Sequence, residues 1–139
     1  MSRRRARELA LQAVYQWELN PMPLVELVQQ FAETNNMQKI DANHFKSIVD
    51  FVVNHTAEVD ARIKPYLDRD ITDLDPIELS ILRLSAYEME HCFDVPYRVV
   101  INEGIELAKK FGSTDGHKYI NGMLDKLAAE LRSAERGGR

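Results

Sequence analysis

The sequence predicts an all-α fold, and two observations carry that prediction. Apolar residues recur at helical spacing along almost the whole chain, and runs of β-branched residues bounded by turns are missing. With 139 residues, of which 45% are hydrophobic and 29% charged, the chain has the size and composition of one globular domain. We therefore expect a compact single domain of about six or seven helices.

The first half of the chain is predicted to hold three helices. The first covers about 3–19 and ends at the prolines that follow Asn20, because proline cannot continue a helix. A shorter second helix follows at about 23–34. The third is expected to run unbroken over about 42–67, since its apolar residues fall within one arc, with Pro65 bending its last turn.

The second half is predicted to hold the central helix and two more. An Asp-Pro pair begins a helix over about 76–92 that is apolar on two stripes, so it should be the most buried element. The next helix covers about 96–112, and Ser113 or Thr114 is expected to cap the last one. Residues 135–139 are expected to fray.

Several function classes are disfavoured by composition and spacing. Cys92 is the single cysteine and cannot form an internal disulfide, and no signal-peptide pattern or run of about 18 apolar residues is present, so we expect a cytoplasmic protein without a membrane segment. The four histidines are scattered without metal-ligand spacing, and the Gly112–Lys118 stretch is one residue short of a phosphate loop. We therefore expect no metal, no cofactor and no catalytic activity.

Charge is distributed unevenly along the chain, whose net charge is -4. Residues 1–10 carry four arginines against one acid, Glu8, which gives +3. Residues 58–78 carry seven acids against three bases, which gives -4. The basic start is expected to meet phosphate with no internal acidic partner except Glu8, and the acidic region to meet a basic protein.

A helical projection of the first helix places Arg4, Arg7, Leu11 and Tyr15 opposite the core stripe, on an outward face. This face has two interpretations. One is an ordinary solvated surface. The other is a single-stranded nucleic-acid site, in which arginines neutralise phosphates and the tyrosine stacks on a base. Arginines near a helix N-terminus are destabilised by the helix dipole. Their presence there is easier to explain by a binding role, which favours the second interpretation.

The last helix offers a similar choice at Tyr119. This residue lies at the margin of the apolar stripe, close to Lys118 and Lys126. It is either a tyrosine at the edge of the core or a residue that stacks on a base.

Arg83 lies among apolar residues of the central helix and has no acidic residue three or four positions away. We expect it to form a structural ion pair with another helix, for instance through Glu103 or Glu106.

Taken together, several segments are similar to a known family. They are Arg3-Arg4-Arg5-Ala6-Arg7-Glu8, Ala13-Val14-Tyr15-Gln16-Trp17, Ile81-Leu82-Arg83-Leu84, Asp94-Val95-Pro96-Tyr97, the stretch from Ile101 to Gly112, and the stretch from His117 to Lys126. In order and spacing they resemble the NusB family over nearly the whole chain.

The resemblance implies an all-helical domain of two small packed bundles, one from each half of the chain, about 1–67 and about 68–134. It implies a non-enzymatic transcription antitermination factor that binds boxA-type RNA as a heterodimer with ribosomal protein S-ten, also called NusE. The complex joins other Nus factors on RNA polymerase during ribosomal RNA transcription.

Carried over position by position, the resemblance also implies site residues. The RNA face would hold Arg3, Arg4, Arg5, Arg7, Tyr15, Asp115, Lys118 and Tyr119. Glu78 would belong to the partner-binding face. Tyr119 stands where the family often has Phe, so its hydroxyl could alter base preference.

Three alternatives stay open. A NusB-like domain also forms the N-terminal part of some ribosomal RNA cytosine methyltransferases, although 139 residues leave no room for their catalytic domain. The chain could instead be an interaction protein that does not touch RNA. An exposed Leu11 and Tyr15 would also allow a homodimer when no ligand covers them.

Overall fold

The computed structural model describes residues 1–137, which form seven α-helices and three short 3-10 turns. The helices are α1 Arg3–Leu19, α2 Leu24–Thr34, α3 Ala42–Asn54, α4 Thr56–Ile63, α5 Pro76–His91, α6 Tyr97–Phe111 and α7 Gly116–Leu131. The 3-10 turns are Met37–Lys39, Lys64–Tyr66 and Ile71–Asp73. No strand element occurs among residues 1–137, and the predicted all-α class is confirmed.

The helices pack as two bundles that share one central element. α1 packs on α2, α3 and α5, while α6 and α7 pack on each other and on α5. α5 also contacts α3 and α4, and ten of its sixteen residues are buried. The prediction that this helix is the most buried is confirmed, and it joins the two bundles.

The start of α1 is tied to the connection between α2 and α3. The Ser2 side chain accepts a hydrogen bond from the backbone N–H of Arg5, as an N-cap does. The Ser2 backbone N–H donates to the Lys39 carbonyl at 3.2 Å, and its carbonyl accepts from the N–H of Asp41 at 3.1 Å. These bonds fix the position of the arginine-rich turn that follows.

The prediction of one unbroken third helix is wrong. The helix is interrupted at His55, whose backbone leaves the helical region at φ -129° and ψ 37°, and a new helix begins at Thr56. The Thr56 hydroxyl donates to the carbonyl of Val52 at 2.6 Å and so satisfies a group that the break exposes. The apolar stripe continues across the break, so periodicity did not reveal it. Pro65 lies in the 3-10 turn after α4.

Both predictions about the last helix need correction. Its N-cap is Asp115 rather than Ser113 or Thr114, and no side chain caps the first turn. The expected frayed tail is anchored at least to Arg136, which donates to Asp125 at 3.0 Å. Residues 138–139 of that tail lie outside the described residues.

A buried ion pair connects the two bundles. Arg7 of α1 donates to both carboxylate oxygens of Glu88 in α5, from Nε at 2.7 Å and from Nη2 at 2.9 Å. Nε2 of His44 in α3 lies 3.3 Å from the same carboxylate. All three side chains are buried, so the group fixes three helices through directional bonds inside the core.

Arg83 forms the expected structural ion pair, but its predicted partners are wrong. It donates to both carboxylate oxygens of Asp60 in α4 at 2.9 Å, and it also bonds to Glu18 in α1. The pair ties the central helix to the first bundle near the end of α1, whereas Glu103 lies near the start of α1, against Arg4.

Within residues 1–137, no helix is both long enough and apolar enough to cross a membrane.

The Glu88→Gln substitution is expected to lower the free energy of unfolding by about 3 kcal/mol, because the buried Arg7 would lose its bidentate carboxylate and keep only the 3.4 Å contact to Glu103. Urea denaturation at pH 7 measures the loss. Glu33→Gln is the matched control, since Glu33 is exposed on α2, and its effect should stay within about 0.5 kcal/mol. A loss no larger than that of the control would show that the buried pair does not hold the bundles together.

The difference in unfolding free energy between the native protein and Glu88→Gln should depend on pH. Burial opposes ionisation of Glu88, but hydrogen bonds from His44 and Arg7 outweigh burial and lower its pKa. A carboxyl whose pKa is lower in the folded state than in the unfolded state stabilises the folded protein fully at pH values above its unfolded pKa of about 4.3. This stabilisation is lost as the pH falls through the folded pKa. The stability difference between the native protein and Glu88→Gln should persist to about pH 5 and shrink below about pH 4.

Candidate nucleic-acid interface

The exposed arginines at the start of α1 are all paired with carboxylates. Arg3 bonds to Asp41 and Asp94, Arg4 to Glu103, and Arg5 to Glu8, at 2.7 to 3.2 Å. The expectation that Glu8 alone partners this cluster is therefore wrong. The acids come from three other segments that folding brings together, and they explain how cations are tolerated at a helix N-terminus.

Arg7 and Leu11 are not on an outward face, contrary to the helical projection. Arg7 is 4% exposed and Leu11 only 1% exposed. The projection assumed a single buried stripe, whereas α1 is covered by α3 on one side and α5 on another. Arg7 points its guanidinium at Glu88 and not at solvent, so it anchors the helix and offers no charge to a phosphate. The basis for self-association through an exposed Leu11 is also removed.

Tyr15 lies in an apolar groove of about 360 Å³ beside α1. The groove is lined mainly by Leu11, Tyr15, Leu19, Phe31, Ile77 and Phe111, which belong to four helices. Tyr15 is half-buried and Leu19 is 56% exposed. Such a surface fits an apolar partner better than it fits phosphates.

The first turns of α7 contribute to a cleft of about 320 Å³, which we call the α7 cleft. It is lined by Tyr66, Asp68, Lys118, Tyr119, Gly122, Met123 and Lys126. The Arg69 guanidinium lies over the Tyr119 ring, 5.5 Å from its centroid. Two aromatic rings therefore lie among three cations, which is the composition of a site for stacked bases and phosphates.

The other end of Tyr119 is buried. Its hydroxyl oxygen has no hydrogen-bond partner, and burial raises the pKa of the phenol, with Arg69 opposing that effect. The buried hydroxyl agrees with a tyrosine at the edge of the core, and the ring lines the cleft, so stacking on a base stays a prediction. A buried oxygen does not reach a base, so the expected effect of the hydroxyl on base preference has no structural basis.

Asp115 lies at the outer rim of this region, where its carboxylate is 3.5 Å from the ammonium group of Lys118. Both side chains are about three-quarters exposed. Exposed pairs of this kind contribute little stability and exchange easily with solvent or a ligand.

Glu78 lies between the groove and the α7 cleft. Its carboxylate is half-buried and within 3.5 Å of the Ser113 hydroxyl. Burial, followed by the charge of Asp75, raises the pKa of Glu78. A Cβ added to Gly116 would lie 3.0 Å from the Glu78 carboxylate, so this glycine provides the space in which Glu78 packs against the start of α7.

The proposed site residues occupy separate places on the fold. Arg3, Arg4 and Arg5 lie at one end of α1, and Tyr15 lies about 17 Å further along the helix axis. Asp115, Lys118 and Tyr119 are grouped on α7. Glu78 neighbours Ile77 of the groove and contacts Ser113 beside α7, so it connects the last two places.

Sequence reasoning missed Tyr66 and Arg69. The first was counted within a continuous third helix and the second within an acidic region. Their placement beside Tyr119 depends on how the segment after Pro65 crosses α7, and no local pattern contains that information. The one available signal was the break that a proline imposes near the end of a helix.

Comparison with known proteins gives a consistent result. A model of the NusB family matches residues 4–129. The chain is 54% identical over 133 residues to the transcription antitermination protein NusB of Pseudomonas fluorescens (strain ATCC BAA-477), covering 96% of this chain and 80% of that one. It is 52% identical over 134 residues to the protein of the same description from Pseudoalteromonas atlantica, covering 96% of each chain.

Two solved structures share the fold. One is a structure of T. maritima NusB, with a TM-score of 0.86 and 26% identity, which covers 98% of this chain and 97% of that one. The other is a crystal structure described as antitermination factors NusB and NusE in complex with dsRNA. Its TM-score is 0.81 at 30% identity, and it covers 91% of this chain and 97% of that one.

Removing the orphaned hydroxyl should stabilise the protein. Tyr119→Phe is expected to raise the free energy of unfolding by about 1 kcal/mol, because a buried polar group without a partner is lost and the ring is kept. Tyr66→Phe is the matched control, since the Tyr66 hydroxyl bonds to Glu130, and it should be neutral or destabilising. Thermal melts of both variants give the comparison, and a lower melting temperature for Tyr119→Phe would mean that the hydroxyl has a partner.

Proposed function

The chain belongs to the NusB family, and from this premise we propose that it is a transcription antitermination factor that binds RNA together with NusE. The α7 cleft is the observation that carries the RNA part of this proposal. It places Tyr66 and Tyr119 beside Lys118, Lys126 and the guanidinium of Arg69. A role in transcription implies that the protein acts in the cytoplasm, at RNA polymerase, with other Nus factors.

We assign RNA contact to the members of the implied set that are not buried, and we add three residues of the α7 cleft and its edge: Arg3, Arg4, Arg5, Tyr15, Asp115, Lys118 and Tyr119, with Tyr66, Arg69 and Lys126 added. Arg7 is given a structural role instead. Stacking on Tyr119 requires an unpaired base, which favours single-stranded boxA-type RNA. Because the related NusB–NusE complex is described with dsRNA, binding experiments should include both a single strand and its duplex.

The partner surface is proposed to be the apolar groove beside α1, with Glu78 at its edge and with Tyr15 where the partner and the RNA would meet. The groove offers apolar area from four helices, and the carboxylate of Glu78 lies next to Ile77 of that groove. Apolar area supplies affinity, and a neighbouring acid favours a basic partner such as a ribosomal protein. Of the acidic residues in region 58–78, only Glu78 is assigned to this surface.

A non-catalytic role fits this arrangement best. The α7 cleft contains stacking rings and cations but no nucleophile beside a base, which acyl or phosphoryl transfer would need. An interaction protein that ignores RNA is the competing proposal, and RNA affinity of the protein without any partner separates the two. A methyltransferase would need a further domain outside this chain.

Stacking and charge at the α7 cleft can be separated by their salt dependence. Tyr119→Ala should lower affinity for single-stranded boxA-type RNA by about 1–3 kcal/mol and leave the slope of log K against log salt unchanged. Lys118→Ala should lower affinity and make the slope shallower by about 0.7. Fluorescence anisotropy over a range of salt concentrations measures both quantities.

Phe93→Ala is the control for these two variants, because Phe93 is an aromatic residue that is 67% exposed outside the cleft. It should bind RNA as the native protein does. A folded Tyr119→Ala variant with undiminished RNA affinity would reject the stacking role. Melting curves on the same samples correct for any loss of folded protein.

The partner role of Glu78 calls for a substitution that removes charge without adding volume, since Gly116 leaves little space. Glu78→Gln should weaken NusE binding by about 1 kcal/mol, or roughly fivefold. Glu58→Gln removes the same charge from an exposed position in the acidic region and should change NusE affinity little. If calorimetric titration shows the same loss of NusE affinity for both variants, Glu78 contributes only to the overall negative charge and is not a specific contact.

A further inference from the structure

Glu103 of α6 holds Arg4 in the geometry that a guanidinium adopts with phosphate. It accepts from Arg4 Nε at 3.2 Å and from Arg4 Nη2 at 2.7 Å. Two parallel N–H donors bind carboxylates and phosphates in the same way. The carboxylate of Glu103 therefore occupies the place that an RNA phosphate would take on Arg4.

The two partners differ in their freedom to move. The Arg4 side chain is 65% exposed, whereas that of Glu103 is only 12% exposed. Glu103 also accepts a hydrogen bond at 3.4 Å from Arg7, which is itself fixed by Glu88. A phosphate can thus draw the Arg4 side chain outward while Glu103 stays in the protein.

The surrounding groove has no surplus of positive charge. It lies between α1 and α6, has a volume of about 310 Å³, and is lined by Arg4, Glu8, Glu103, Glu106, Leu107, Lys109 and Lys110. Three cations are matched by three carboxylates, and Lys110 is 3.0 Å from its partner Glu8. A polyanion gains little from this groove unless one of the pairs opens.

We propose that Glu103 is an intramolecular competitor for RNA phosphate at Arg4, an inference that rests on the proposed RNA-binding function. The competition weakens binding of any RNA chain to the start of α1. Because a phosphate contact carries no sequence information, this competition weakens binding of all RNA chains alike and leaves discrimination between sequences to the bases bound in the α7 cleft. Glu103 thus sets how strongly the start of α1 binds RNA without touching the RNA itself.

The test is the Glu103→Gln variant, whose amide oxygen can still accept from Arg7. Opening an exposed ion pair costs about 0.2–1 kcal/mol, so the variant should bind a polyuridine oligonucleotide up to about fivefold more tightly than the native protein does. The salt slope should steepen by about 0.7, because Arg4 becomes free to neutralise one phosphate. The affinity for boxA-type RNA should rise by the same factor, because Arg4 contacts phosphate and not a base.

Two comparisons separate competition at Arg4 from a general change of charge. Glu106→Gln removes the same charge from the same groove but from a residue without a hydrogen bond to Arg4, so it should give a smaller gain. In an Arg4→Ala background, the gain from Glu103→Gln should disappear. Equal gains from the two glutamine variants, or a gain that survives in the Arg4→Ala background, would overturn the proposal.

The outcomes also separate this inference from the proposed function. If the native protein binds neither RNA, the proposed function fails. If the native protein binds RNA and a folded Glu103→Gln variant shows no gain for polyuridine, only the competitor role fails. Should Glu103→Gln not fold, Glu103→Asp keeps the charge and shortens the reach to Arg4, and an unchanged polyuridine affinity for that variant would equally reject competition.

Discussion

The structure depends on the buried pair between Arg7 and Glu88. It joins α1 and α5 through two charged side chains that are both buried, and His44 of α3 contacts the same carboxylate, whereas the Arg83–Glu18 pair between the same two helices is only part-buried. Desolvation of these charges is costly, so the pair holds only when both oxygens and the guanidinium are satisfied together. That requirement sets the relative placement of α1 and α5 more narrowly than apolar contacts alone would.

The surfaces of the protein follow from this placement. Because Arg7 faces inward, the other arginines of the first turn lie within reach of carboxylates from α6 and from the connections next to α3 and α6. The basic start is thus a neutralised surface that presents its charge only when a pair opens. The α7 cleft differs because it has aromatic rings for stacking and an exposed Lys126, although Lys118 and Arg69 are paired with Asp115 and Asp68. RNA affinity should therefore arise mainly at α7.

Much of the fold was predictable from the sequence, because helical periodicity and proline positions report on local structure. The bounds of α1, α5 and α6 were predicted to within a few residues. The break at His55 was not, since the apolar stripe crosses it and its reason is the local bonding of Thr56. The sequence allowed us to predict which residue types form the site, but not how deeply they are buried or which residues they pair with. A helical projection cannot show that α1 is covered on two sides, and ion pairs such as Arg4–Glu103 join residues 99 positions apart.

The central claim is that two neighbouring surfaces, the α7 cleft for RNA and the groove for NusE, act together, with Glu78 between them. Titration of labelled boxA-type RNA, with and without saturating NusE at one salt concentration, tests it most directly. The account predicts that NusE tightens RNA binding at least about fivefold, and that RNA tightens NusE binding by the same factor, because coupling between two ligands is reciprocal. An RNA affinity that is identical with and without NusE would contradict it.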